Sequence, residues 1–299
     1  MHTTTDRRAP RRLSLALPVA GALLAVTAGA SIAQSPSTIP MGAVDHPTGA
    51  TDVVLRMETG GGFVPFGFFI TQAPTFVLYG DTTAIFRPGT YVSGTELPPF
   101  VKATMSPEQL DALLTYALTV GRLADAKTDY SDFNVSDAPI TLFTIDAGGV
   151  DKSVSVYALG IGEHGGADAA DYAAFEDLAT LLSTFEVQVE NGQVLSAELY
   201  QPETYRAVLS PTDVNQPDLI DWPFGDLPLD HFEPFADNPS FRLGPLTPEQ
   251  LSAVATVPSG GSTGIAILSP AGTEAYYLQW RPLLPGEDLQ PAVLGGKGF

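Results

Sequence analysis

Chemistry in this chain would have to come from a few short patterns of glycine, acidic and aromatic residues. Gly160-Ile161-Gly162-Glu163-His164-Gly165 matches GxGxxG, a pattern whose glycines let the backbone approach a pyrophosphate at a helix N-terminus. It lies between a predicted strand and a predicted helix, with Glu190 ending a possible next strand. The strand before it alternates serine and valine as one arm of a hairpin, whereas dinucleotide-binding strands are buried on both faces. The pattern therefore reads as a glycine-rich loop, and no organic cofactor is expected. Gly260-Gly261-Ser262-Thr263-Gly264 matches GxSxG. A nucleophile elbow needs a strand before the serine and a helix after it. Here Pro258-Ser259 come before and a strand follows, which describes a connector.

Metal chemistry has one candidate. Asp125, Asp129, Asp132 and Asp137 share a loop and offer the oxygen ligands that hold Ca²⁺. Their spacing is not that of an EF-hand, and the alternative is a solvated acidic loop. Glu163, Asp168 and Asp171, ahead of the second helix, form a weaker set. His46, His164 and His231 lie far apart without His or Cys partners at ligand spacing, so zinc is not expected. No pair of carboxylates is singled out for hydrolysis, because the diagnostic quantity there is their separation in space. Trp222, Phe224, Phe232 and Phe235 form a candidate binding surface, or else anchors that hold a long loop down.

The elements that must position these residues are legible in the apolar periodicity. Val53, Leu55 and Met57 alternate with Asp52, Arg56 and Glu58 as in a half-buried strand. Gly60-Gly61-Gly62 then reads as a loop with an apolar insertion from Phe63 to Ile70. Hairpins are predicted at 75–79/83–86, across Gly80-Asp81-Thr82, and at 140–146/153–159, across Ala147-Gly148-Gly149-Val150. Ser106-Pro107-Glu108-Gln109-Leu110 combines a capping box, Pro at the first helical position and a Met105–Leu110 staple, which predicts a helix from Pro107 to about Ala124. A second helix is predicted over 171–185. Thr247-Pro248-Glu249-Gln250-Leu251 repeats the capped start and feeds a hairpin, 265–268/274–281. In its second arm Tyr276, Leu278 and Trp280 are expected to face the core, leaving Tyr277, Gln279 and Arg281 outside. Residues 211–239 carry six prolines and read as a long ordered loop or linker, not regular structure.

Composition sets the compartment and the partners. Arg7, Arg8, Arg11 and Arg12 precede an apolar run from Leu13 to Ala28, and Ser31-Ile32-Ala33 supplies a small-x-small cleavage pattern before Gln34. Residues 1–33 are thus expected to be a secretory signal, too short in its apolar part to span a bilayer comfortably. The 299-residue chain has no cysteine and a formal net charge of −20. Without residues 1–33 it keeps 10 basic and 33 acidic side chains. Such a charge repels phosphate backbones and anionic lipid, so neither nucleic acid nor stable membrane insertion is expected. It is compatible with simple solubility or with capture of cations or of a basic partner.

The Val77-Leu78-Tyr79-Gly80-Asp81 turn, the Ser106–Leu110 helix start, Tyr130 with Ser136-Asp137-Ala138-Pro139, the strand Val154–Leu159, Trp222-Pro223 and the closing Arg281-Pro282-Leu283-Leu284-Pro285-Gly286-Glu287 together resemble an uncharacterised family of exported bacterial proteins from high-GC Gram-positive-type genomes. What the resemblance implies is a secreted hairpin-helix-hairpin-helix domain with a closing RPLLPxE segment, and no catalytic residue. The expectation is an α+β fold of two layers, a mostly antiparallel sheet with helices on one face and the other left open. Its parts are a signal at 1–33, a flexible tether at 34–50, a main domain at 51–200, and a proline-rich loop with a smaller C-terminal α-β-β unit at 201–299. The expected function is non-catalytic binding of a cell-envelope polymer or protein through the open sheet face and the 211–239 loop. The alternatives are a secreted hydrolase using clustered carboxylates or a Ca²⁺-stabilised extracellular domain.

Overall fold

The computed structural model describes residues 43–62, 64, 66–89, 99–131, 135–254 and 264–291. The expected signal, the first part of the tether, Asp132 and residues 255–263, with most of the GxSxG pattern, lie outside them. The fold is α+β, with 22% helix and 34% strand. An eight-stranded, mostly antiparallel sheet comes from residues 53–199, and a five-stranded antiparallel sheet from residues 205–282.

The first sheet runs β5-β7-β6-β1-β2-β3-β4-β8. Its strands are β1 (Val53–Gly61), β2 (Phe76–Tyr79), β3 (Thr83–Phe86), β4 (Val101–Thr104), β5 (Asp129–Tyr130), β6 (Pro139–Ala147), β7 (Val150–Tyr157) and β8 (Ser196–Leu199). Both predicted N-terminal hairpins form, β2–β3 and β6–β7. The second closes through Gly148 and Gly149 at φ +60° and +76°, the left-handed pair that a two-residue turn matched to strand twist requires. The apolar insertion before β2 folds into a short helix, α1 (Phe66–Thr71), not a loop.

Two amphipathic helices cover one face of this sheet. In α2 (Pro107–Thr119) the Ser106 hydroxyl accepts from the Gln109 N–H, and the Gln109 side chain accepts from the Ser106 N–H. Leu110, Leu113, Leu114 and Ala117 are its buried stripe. In α3 (Ala169–Ser183) that stripe is Tyr172, Ala174, Phe175, Leu178 and Leu182. Both pack on Leu55, Met57, Phe76, Phe86, Phe143 and Val156 of the sheet. The predicted strand ending at Glu190 is instead a turn of helix, α4 (Glu186–Glu190). Val187 and Val189 alternate as in a strand, but Phe185 is seated on Phe76 and Phe86, and Gln188 and Asn191 N–H close helical turns back onto Phe185 and Val187.

The opposite face of the sheet is not open where β1, β2 and β3 lie. All four residues of β2 are buried, and Val77, Tyr79 and Ile85 pack with Phe100 and Leu284, the latter from the chain after the second sheet. That second sheet runs β10-β11-β9-β13-β12. Its strands are β9 (Tyr205–Thr212), β10 (Glu233–Phe235), β11 (Asn238–Leu246), β12 (Ile265–Leu268) and β13 (Ala275–Pro282). The C-terminal part is therefore larger than an α-β-β unit, and the repeated capping box starts only a five-residue helix, α5 (Pro248–Ser252). α1 docks onto it, placing Ile70 and Phe66 against Val208, Phe235 and Leu243.

Candidate functional site

The acidic loop and the glycine loop meet. β5 pairs in parallel with β7, which carries Asp129 and Tyr130 alongside the strand that leads into Gly160–Gly165. Lys127 Nζ then reaches Asp168 (2.6 Å), Arg122 Nε reaches Asp171 (2.5 Å), and the Tyr130 hydroxyl donates to Asp171 (2.8 Å) while accepting from the Lys127 N–H. His164 stacks on Tyr172 with ring centroids 3.8 Å apart. Burial first, then its hydrogen bond and proximity to Asp171, push the Tyr130 phenol up to about 12, although the Lys127 N–H opposes this. Asp168 and Asp171 are occupied by cations of the same chain, so this junction holds two loops together. Asp125, Asp129 and Asp137 are exposed, and Asp129 accepts a hydrogen bond from Ser131. Among the described residues no three His, Cys, Asp or Glu side chains are grouped so as to hold a metal ion.

Between the sheets lies a second polar cluster, and the sequence did not foretell it. Arg206 is 2% exposed and Arg281 is 5% exposed. Arg281 makes a forked contact with Glu287 (2.6 and 3.3 Å), whose carboxylate also accepts from the Leu284 N–H (2.9 Å). Arg206 donates to the Leu289, Asp288 and Ile70 carbonyls. Arg56 on β1 bridges Glu58 and lies 3.6 Å from Glu287. Burial and the neighbouring Arg281 push the Arg206 pKa down. Burial would raise Glu287, but the Arg281 hydrogen bonds and charge, the Leu284 N–H and Arg56 outweigh it and hold the carboxyl below its ordinary value. Arg281 was expected outside by strand alternation. It is inside because the segment after β13 folds back over that face and brings Glu287 to it. The two ends of the closing RPLLPxE segment are thus partners in one buried ion pair.

The third place is the proline-rich stretch, expected to lack regular structure, which instead holds the 3₁₀ turn Leu229–His231 and strand β10 and ends in the start of β11. Ile220 bridges to Ile267 at the edge of the second sheet, its N–H donating to Ala266 and its carbonyl accepting from Leu268. Trp222 packs edge to face on Phe224 (5.2 Å) and Phe232 (5.8 Å), which are tilted against each other at 6.0 Å, and the three lie in one cluster with Leu209, Ile265, Ile267 and Leu278; the Trp222 indole N–H donates to the Leu227 carbonyl (2.8 Å). Phe232 is fully buried, and Phe235 sits apart, buried against Phe66. The structure therefore gathers Trp222, Phe224 and Phe232 into one cluster and places Phe235 in another. Their role in the fold is to clamp the loop onto the sheet, which leaves a rim rather than an aromatic platform.

That rim borders a groove of about 200 Å³ lined by Pro228, Leu229 and Asp230 on one side and Ser269, Pro270, Ala271 and Glu274 on the other. The Leu229–His231 turn is a 3₁₀ segment held by the His231 ring against the Pro245 carbonyl (2.7 Å). The opposite wall is the β12–β13 turn, fixed by paired Ser269–Glu274 backbone and hydroxyl bonds. Tyr276 donates to Glu274 (3.2 Å) from beneath. The groove is apolar along its sides with exposed carboxylates, Asp230 and Glu274, one on each wall. Sequence reasoning named the loop but missed Asp230 and Glu274, because nothing local signals that residues 229 and 271 are neighbours.

No family model, curated protein or solved structure matches the chain, and no helix among the described residues is long and apolar enough to cross a membrane.

Proposed function

We propose that this protein is a non-catalytic binding module working outside the cytoplasm, and that it takes a cationic group of an envelope protein or polymer into the 228–230/269–274 groove. The observation that carries this reading is the groove itself: walls of Pro228, Leu229, Pro270 and Ala271 suit a hydrocarbon stem, and Asp230 and Glu274 suit an ammonium or guanidinium head. The charge of the chain supports it. Arg56, Arg122, Lys127, Arg206 and Arg281 are tied to partners within the chain, as are Lys152, through the Ala124 and Ala126 carbonyls, and Arg242, through the Phe232 carbonyl. The field presented outward is then dominated by carboxylates, which draws cations in and raises encounter rates.

The test is an NMR titration of the cysteine-free chain with hexalysine. Shift changes are expected to concentrate at 228–230 and 269–274, to weaken several-fold in Asp230→Asn and Glu274→Gln, and to survive Glu190→Gln, which removes an exposed carboxylate elsewhere. Changes spread evenly over the acidic surface, or the same loss in Glu190→Gln as in Asp230→Asn, would refute the reading.

A further inference from the structure

Strand pairing sets two buried cations side by side. Arg206 on β9 lies directly opposite Arg281 on β13, and the two are 2% and 5% exposed. Like charges facing each other across a ladder destabilise it, and burial removes the water that would screen them. Two more arginines come to the same region from the first sheet. Arg56 lies 3.6 Å from Glu287, the partner of Arg281. It shares a cross-strand row with Val77 and Ile85, and Arg87, two residues beyond Ile85, falls on the same face. The Arg87 guanidinium sits over the Phe100 ring at 4.5 Å, and burial and the charge of Arg281 both push its pKa down.

The anionic side does not match. Glu58 and Glu287 contact Arg56 and Arg281, and Asp288, on the exposed rim, adds its charge near Arg206. Among the described residues, then, three carboxylates stand against four guanidiniums, and Arg87 contacts none of the three. The unmet donors are all of one kind. Arg206 spends Nε and both Nη atoms on the Leu289, Ile70 and Asp288 carbonyls. Arg281 gives both Nη atoms to Glu287, and Arg56 gives Nη2 to Glu58. The buried Nε atoms of Arg56, Arg87 and Arg281 have no acceptor among the described residues. A buried donor left without an acceptor is costly, and here three of them surround an excess of positive charge.

We infer that a small tetrahedral oxyanion, of the inorganic phosphate or sulfate class, completes this cluster by accepting from the free Nε edges of Arg56, Arg87 and Arg281. The Nε–Nη edge of a guanidinium presents two parallel donors that match two oxygens of such an ion, and the ion supplies the charge that the three carboxylates lack. Arg56, 26% exposed at its side chain, and the half-buried Arg87 open the site to water. The chain's formal charge of −20 repels long polyanions, but its field is screened within about 10 Å at 0.1 M salt and does not bar a small ion. The ligand is opposite in charge to that of the carboxylate groove and is held by different residues, so this inference stands apart from the proposed function.

The test uses the full chain at pH 7. Phosphate at about 20 mM, compared with NaCl of equal ionic strength, is expected to raise the melting temperature by about 4–7 °C for a dissociation constant on the order of 1 mM, and sulfate to act alike. The shift falls below about 1 °C in Arg87→Gln, which breaks no ion pair among the described residues, and persists in Arg122→Gln, which removes a surface cation paired elsewhere. General exclusion of phosphate from protein surfaces also stabilises, but it acts on all three proteins alike. Equilibrium dialysis of the unsubstituted chain against radiolabelled phosphate reads the site without any variant: one ion per chain, displaced by sulfate and not by chloride at equal ionic strength. No phosphate retained in dialysis, a melting shift no larger than that in NaCl, a shift that survives Arg87→Gln, or one lost as fully in Arg122→Gln would each overturn the inference.

Discussion

Replacing Glu287 with alanine isolates the buried ion pair that locks the closing segment between the two sheets. The change removes both carboxylate contacts to Arg281 and the acceptor of the Leu284 N–H. It leaves a guanidinium that is 5% exposed and still donates to the Pro282 carbonyl at 2.8 Å. Stranding one member of a buried pair costs about 3–5 kcal/mol. At about 2–4 °C per kcal/mol for a domain of this size, the melting temperature should fall by roughly 6–20 °C, read by circular dichroism at pH 7 with urea unfolding as a check. The double variant Arg281→Met/Glu287→Leu removes the charge rather than stranding it, and should recover at least about 1 kcal/mol of that loss. The pH dependence has a definite sign. Glu287 is held below its ordinary 4.5 in the folded state, so the ionised pair stabilises the fold above about pH 4.5 and the contribution fades as pH falls through the lower folded value. Glu287→Gln should flatten that acid limb. A loss under about 1 kcal/mol in Glu287→Ala, typical of an exposed pair, or a double variant as unstable as the single ones combined, would refute the claim that this contact is buried and cooperative.

Other outcomes follow from the same structure. Tyr130 and Tyr200 are pushed up to about 12, chiefly by burial, so their neutral forms stabilise the fold fully below pH 10 and that stability is lost as pH rises through 12. Alkaline unfolding should therefore coincide with late phenolate absorbance at 295 nm, and Tyr130→Phe should remove one late-titrating group. Ser106→Ala breaks a capping box and should cost about 1 kcal/mol in urea unfolding, within the range for N-cap loss. At Gly80 a Cβ would stand 2.1 Å from the Pro47 carbonyl oxygen, so Gly80→Ala should displace the 47–48 segment and cost about 1–3 kcal/mol. If residues 1–33 direct export, N-terminal sequencing of the protein recovered outside the cytoplasm should begin at Gln34.

The helix starts were legible because their information is local. Ser106 with Gln109 and Thr247 with Gln250 satisfy each other's backbone groups within one turn, and no distant contact is needed to specify them. The same holds for the Gly148-Gly149 turn and for the alternation that sets Met57 and Phe143 inward. Helix length was less legible: α2 stops at Thr119 and α5 after one turn, because a cap fixes where a helix begins while tertiary packing decides how far it continues.

Only the folded chain decided the rest. Alternation places Arg281 and Leu278 on opposite faces of β13 but cannot say what covers either face. Here the segment carrying Glu287 folds back over the Arg281 side, and a position expected in water becomes one of the most buried cations. The groove is likewise a product of the fold, since Asp230 and Glu274 become opposite walls only when the Trp222–Phe232 cluster clamps its loop onto the second sheet. Periodicity is a property of neighbouring residues along one strand or helix. Burial, charge pairing and concavity are properties of what lies across the gap, and that partner is set by packing of segments far apart in the chain.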